Sequence, residues 1–357
     1  MSKRKLDYKG RAALNNHQTR FTSETKHDFD DGWGTIEESL PPIATTLSVD
    51  SARKIITYNQ SPDVGFDRSI NPYRGCEHGC IYCFARPTHT YLNLSPGLDF
   101  ESRLFYKPDA AKLLRKELLA KNYQPAPIAL GINTDAYQPV EKQTGLTREI
   151  LQVLSEFRHP VSIVTKSSLI ERDLDVLTDL ARDNLINIIV SMTTLDHQLA
   201  RKMEPRACAP ARRLRVIENL RDAGIPVGVL VAPVIPVLTD HEIEELLMRS
   251  RTAGALSAGY VLIRLPHELK QLFWEWLCSH FPDKAQHVMN RVRDCRGGRE
   301  YVAQFGTRMQ GTGVYAELIR QRFDRACRRY DFQEIAPLNI DSFKRLHPQD
   351  ERQFELF

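Results

Sequence analysis

Cys76, Cys80 and Cys83 stand in the run Asn71-Pro72-Tyr73-Arg74-Gly75-Cys76-Glu77-His78-Gly79-Cys80-Ile81-Tyr82-Cys83, spaced C-x3-C-x2-C. Three of the chain's seven cysteines thus fall within eight residues. Thiolates are soft ligands, and a short loop can aim all three at one metal centre. The count of three narrows the chemistry. A four-iron cluster held by three cysteines keeps one iron open for another ligand. A structural zinc with His89 as fourth ligand is the alternative, but nothing nearby supplies the second Cys or His pair that such sites use. Cys208, Cys278, Cys295 and Cys327 are too irregularly spaced for an auxiliary cluster and read as ordinary thiols.

Whatever the loop holds, other elements must bring partners to it. Residues 68–73, 127–132, 161–165, 186–190, 226–231 and 260–264 predict strands. Residues 109–121, 146–157, 173–182, 212–223 and 240–253 predict helices, the first with Leu113, Leu114, Leu118 and Leu119 at helical spacing. Gly224 is placed to end one helix, and Thr239 or Asp240 to cap the next. Repeated β–α units imply an α/β fold, a parallel sheet with helices outside. Six such units are too few for an eight-fold barrel. The cysteine loop follows the C-terminal end of the first strand. Polar residues stand at three other strand ends: Asn133, Thr134 and Asp135, then Lys166 and Ser167, then Ser191.

The cysteine run, with aromatic Tyr82 just before its last cysteine, resembles the signature of the radical SAM superfamily. The Asn-Pro-Tyr-Arg-Gly lead-in makes the chain most similar to the spore photoproduct lyase branch, over roughly residues 66 to 265. The resemblance implies a partial (β/α)6 TIM-like barrel with its chemistry at the C-terminal strand ends. It implies a 4Fe-4S cluster on Cys76, Cys80 and Cys83, with S-adenosylmethionine on the open iron. Reduction would then cleave the cofactor to methionine and a 5′-deoxyadenosyl radical. Tyr82 would sit near the adenine. Thr134, Asp135, Lys166 and Ser191 match, in order, the branch's cofactor-binding positions. Asp135 suits the ammonium end of the cofactor and Lys166 its carboxylate. Glu204 and Arg213 are weaker additions, which an ordinary helix-surface ion pair explains as well.

One departure bears on the reaction. The lyase carries a cysteine just before the polar–Asp pair, which gives a hydrogen atom to the repaired thymine; here Ile132 and Asn133 stand there. Photoproduct repair by the same route therefore does not carry over. The resemblance points to radical chemistry on nucleic acid in DNA repair, with a flavodoxin or ferredoxin as reductant. The same chemistry on RNA or a peptide is one alternative. A non-enzymatic, zinc-stabilised nucleic-acid or clamp-binding protein is another.

The remaining sequence frames this core. Residues 1–65 read as an irregular lead-in in which Trp33 docks, 66–265 as the barrel, 266–335 as a basic helical extension and 336–357 as a tail. The stretch 291–330 holds ten Arg, no Lys and four acids, a net of +6, against +4 for the whole chain. Seven basic residues and two acids lie between 201 and 221. Such local charge suits a polyanion, DNA first, although a solvated helix face has the same composition. The glycine-rich run 306–313 lacks a P-loop lysine and reads as a tight turn offering Arg308 as a backbone contact. Gln353, Leu356 and Phe357 resemble the short motif that docks repair proteins on the sliding clamp. The charged start has no apolar h-region and no apolar run reaches spanning length, so a cytoplasmic protein with no membrane segment is expected.

Overall fold

A computed structural model describes residues 8–21 and 43–346. Its strands are β1 (Thr46–Val49), β2 (Ile56–Tyr58), β3 (Arg68–Ile70), β4 (Tyr73–Arg74), β5 (Arg103–Tyr106), β6 (Ile128–Leu130), β7 (Val161–Thr165), β8 (Ile186–Met192), β9 (Val227–Val234) and β10 (Ser257–Leu262). The larger sheet has the order β10-β9-β8-β7-β6-β3-β2. From β3 through β10 every neighbour is parallel, and β2 closes the edge antiparallel to β3. These are the six parallel strands that the sequence predicts, arranged in chain order as an open, partial barrel.

The alternation along the strands shows which face the helices cover. In β7, Val161, Ile163 and Thr165 are buried while Ser162 and Val164 are only partly so. The buried face meets the apolar stripes of the connecting helices: Leu114 and Leu118, Ile150 and Leu154, Leu177 and Leu180, Ile217 and Leu220, Leu246 and Leu247. Parallel sheets generally need both faces covered. Here helices seal one face, and the other is left facing the concave interior.

Two details differ from the sequence reading. The single strand expected over 68–73 is two strands. β3 joins the main sheet, whereas β4 pairs antiparallel with β5 in a small sheet of order β1-β5-β4. Pro72 sits between them and brings no N–H to a ladder. The helix expected from Asp240 begins as a 3-10 turn, Asp240–Glu242, and runs α-helical only from Ile243 to Ala253, without a side-chain cap. Gly224 does end its helix, at φ +74°.

Beyond the sheet, helices Leu269–His280 and Pro282–Asp294 build a second core under the cysteine loop, where Ile81 and Tyr82 meet Leu272, Phe273 and Trp276. Helix Val314–Arg329 packs on β10 and on helix Ile243–Ala253. Trp33, Gln353, Leu356 and Phe357 lie outside the described residues. No helix among the described residues is long and apolar enough to cross a membrane.

Four arginines of the basic stretches are matched by acids from distant parts of the chain. Arg206 pairs with Glu77, Arg212 with Glu171, Arg308 with Asp63 and Arg322 with Glu244. Arg308 thus serves as an internal tie rather than a free cation.

Candidate active site at the mouth of the half-barrel

The cysteine loop is held by its backbone. Gly75 and Gly79 take φ of +78° and +65°, where a side chain would be strained. A Cβ on Gly75 would come within 2.6 Å of Leu104, and one on Gly79 within 2.8 Å of Glu101. Beneath the loop lies Arg86, wholly buried. It donates to the carbonyls of Cys80 (2.8 Å), Gly79 (2.8 Å), Pro96 (3.0 Å) and Gly97 (2.9 Å) and pairs with buried Glu101. Glu101 in turn accepts the backbone amides of Ala12 (3.1 Å) and Ala13 (2.9 Å). On the other side Gln138 accepts from the Glu77 amide at 2.8 Å and donates to the Gly75 carbonyl at 3.2 Å.

Four of the predicted strand-end residues converge on this loop. Asp135 is fully engaged: it accepts from the Tyr137 amide (2.9 Å), the Thr165 hydroxyl (2.8 Å) and the Lys166 amide (2.7 Å). Buried His78 places its Nδ1 3.3 Å from the same carboxylate. Burial would raise the Asp135 carboxyl, but His78 and the amides outweigh it and hold it below its usual range. Lys166 donates to the Ser191 hydroxyl at 2.7 Å, and its Nζ lies 5.9 Å from the centre of the Tyr82 ring. Burial lowers the Lys166 ammonium. Thr134 gives its hydroxyl to the Tyr73 carbonyl at 3.0 Å. Asn133 lies further out, its amide bonded to Asn71 Oδ1 at 2.9 Å.

Tyr82 turns away from solvent and donates its phenol to Glu204 beside Thr193. Glu204 and Arg213 are 3% and 2% exposed, so the helix-surface reading of this pair does not hold. Arg213 also donates to the Ser191 carbonyl at 3.0 Å, tying the pair to the end of β8. His89 bonds the Arg103 carbonyl through Nε2 at 2.9 Å and packs edge-on against Phe100. That nitrogen is spent on the scaffold rather than on a metal.

A profile of the Radical SAM superfamily matches residues 70–249, half of the chain. The chain belongs to the Radical SAM superfamily. An uncharacterised protein of Mycobacterium tuberculosis is 34% identical over 259 residues, covering 72% of this chain and 72% of that one. An uncharacterised protein of Methanocaldococcus jannaschii is 30% identical over 192 residues, 54% of this chain and 68% of its own. Among solved structures, spore photoproduct lyase complexed with dinucleoside spore photoproduct aligns with TM-score 0.57 at 15% identity, over 80% of this chain and 79% of that one. A spore photoproduct lyase mutant with bound AdoMet and dinucleoside spore photoproduct aligns with TM-score 0.53 at 16% identity, over 80% and 77%. At such identities the likeness establishes the fold.

Radical SAM enzymes use a 4Fe-4S cluster and S-adenosylmethionine, and the cysteine loop fits the cluster. Burial pushes the Cys76 thiol well up, and the nearness of Cys80 and Cys83 adds to it. Burial likewise raises Cys80 and Cys83. Deprotonated as cluster ligands, these three sulfurs would need a cationic centre beside them. The backbone amide of Asp135 near Cys76, and those of Ala85 and Arg86 near Cys83, partly offset that burial in favour of the thiolates.

The sequence reading missed Arg86, Glu101 and Gln138. Arg86 and Gln138 each lie three residues beyond a residue that it had singled out, Cys83 and Asp135. Glu101 carries no local signal.

Proposed function

We propose that this radical SAM enzyme reductively cleaves S-adenosylmethionine and acts on nucleic acid, DNA before RNA, in repair. The single observation that carries the cleavage is the convergence of Asp135, Lys166 and Ser191 on the cysteine loop, where Lys166 meets Tyr82. A bound 4Fe-4S cluster would supply the electron for reductive cleavage of S-adenosylmethionine. The chain's own residues do the positioning. Cys76, Cys80 and Cys83 would hold the cluster. Lys166, steadied by Ser191, offers a cation to the cofactor carboxylate. Asp135 fixes the start of the β7 loop and hence the place of Lys166. Thr134, bonded to the Tyr73 carbonyl, sets the spacing between that strand end and the cysteine loop. The helices under Tyr82 exclude water from one side.

Nucleic acid is supported by the dinucleoside-bound structural neighbours and by the Arg-rich extension. A flavodoxin or ferredoxin is the reductant proposed, and Gln353, Leu356 and Phe357 the contact to a sliding clamp. The test is anaerobic cluster reconstitution followed by assay for 5′-deoxyadenosine with dithionite and S-adenosylmethionine. Production by the wild type and its loss in Cys76→Ala, Cys80→Ala and Cys83→Ala is expected. Zinc in place of iron, with the cofactor intact, would overturn the reading.

A further inference from the structure

Most arginines around the mouth have carboxylate partners: Arg213 has Glu204, Arg206 has Glu77 and Arg308 has Asp63. Arg264, two residues past the end of β10, has none among the described residues. Among the described residues its one polar contact is the Met309 sulfur, 3.3 Å from Nη1, and its buried Nε has no partner there. Thioether sulfur is a weak acceptor, so the guanidinium keeps unspent donors.

The neighbours make this site more positive. Arg296 gives its donors to neutral carbonyls, those of Leu262, Ile263, Thr307 and Arg308. Burial lowers it to about 10, and repulsion from Arg264 contributes. Two guanidiniums without an acid between them is an arrangement that an anion relieves.

Phe84 supplies the second half. It follows Cys83 directly, is 40% exposed, and lies under the Arg264 guanidinium at 5.3 Å. The contact joins the loop after the first parallel strand to the end of the last, so it spans the mouth. The turn that carries Met309 is anchored over this end of β10, with the Leu262 amide donating to the Met309 carbonyl at 2.8 Å. Gly311 allows the approach: a Cβ there would come within 2.8 Å of both Leu262 and the Cys295 carbonyl. The same turn exposes Phe305.

We propose that Phe84 and Arg264 form the substrate's seat at the mouth, Phe84 stacking a base of a single-stranded or extruded nucleotide and Arg264 binding its phosphodiester. This rests on the nucleic-acid reading above and names where that substrate sits. Base–aromatic stacking is tolerant of sequence, and a guanidinium matches two phosphate oxygens at once. The seat lies one residue from a cluster ligand, so a nucleotide held there is presented to the radical chemistry.

The experiment is fluorescence anisotropy of labelled oligothymidylate on cluster-reconstituted protein over a salt series, with Arg264→Gln, Arg264→Lys, Phe84→Ala and Phe84→Trp. Exposed Arg325 on the basic helix supplies the control, Arg325→Gln. Iron content and circular dichroism confirm that each variant is folded. Arg264→Gln is expected to weaken binding about tenfold and to flatten the logarithmic salt slope by ~0.7, the share of one phosphate. Phe84→Ala is expected to lose about tenfold, restored by Phe84→Trp. Arg264→Lys keeps the salt slope but recovers affinity only in part. Wild-type binding that these variants match, or that Arg325→Gln alone weakens, overturns the seat and leaves the nucleic-acid reading standing. A wild type with no salt-dependent binding overturns both.

Discussion

Two buried arginine–glutamate pairs flank the cysteine loop, and they are used differently. Arg86–Glu101 is closed by the backbone: carbonyls take the arginine's donors, and the Ala12 and Ala13 amides take the carboxylate. In Arg213–Glu204 carbonyls of Cys208 and Ser191 again take the arginine's donors, but the carboxylate is closed by side chains, the Tyr82 and Thr193 hydroxyls. The first pair can only hold a shape. The second ends in groups that face the strand ends where the cofactor is proposed to lie. Equal burial therefore does not mean equal purpose; what completes each pair tells them apart.

The largest effect is expected from Glu101→Ala. It leaves Arg86 charged and uncompensated in the interior and frees two amides, at a cost of about 3–5 kcal/mol. Chemical denaturation should show that loss, and iron content after reconstitution should fall with it. A variant that loads its full complement of iron would break the comparison. Glu204→Gln comes next. The amide still accepts from Tyr82 and Arg213 keeps the Cys208 and Ser191 carbonyls, so iron loading should persist, while S-adenosylmethionine binding weakens about tenfold as Tyr82 loses its charged acceptor. Equilibrium dialysis checks this, and iron loss with unchanged cofactor affinity would reverse the two assignments.

An exposed pair sets the low end of the scale. Arg148 meets Asp175 on the surface and holds its carboxyl down at about 2. A depressed carboxylate stabilises the fold above its unfolded pKa, and that contribution fades as pH falls from about 4 towards 2. Surface screening limits it to about 0.5 kcal/mol. Urea midpoints of Asp175→Asn and wild type should therefore differ slightly at neutral pH and converge in acid. A gap that widens in acid would contradict the pairing.

The regular frame was readable because six apolar runs and their helices repeat one local pattern. The cysteines and the strand-end polar residues were readable because spacing alone places them. What supports them was not. Arg86 and Glu101 are fifteen residues apart, and Glu101 to Ala12 spans 89 positions, so no periodicity links them. Tyr73 was assigned to the main sheet because nothing in a two-residue strand announces a change of partner. Glu204 and Arg213 lie nine residues apart across the end of one helix and the start of the next, so no helical spacing pairs them, and only the fold over them shows their burial.

The Ala12–Glu101 bond also has a timetable. During synthesis residues 12 and 13 leave the ribosome 89 residues ahead of Glu101. At ordinary elongation rates the segment waits roughly 4–18 s for its partner. Until then the floor of the cysteine loop has no carboxylate, and the cysteines have emerged without it. The loop is completed by a segment made well before it, returning to it. An N-terminal fusion that blocks that return would act on metal loading first and on the sheet hardly at all.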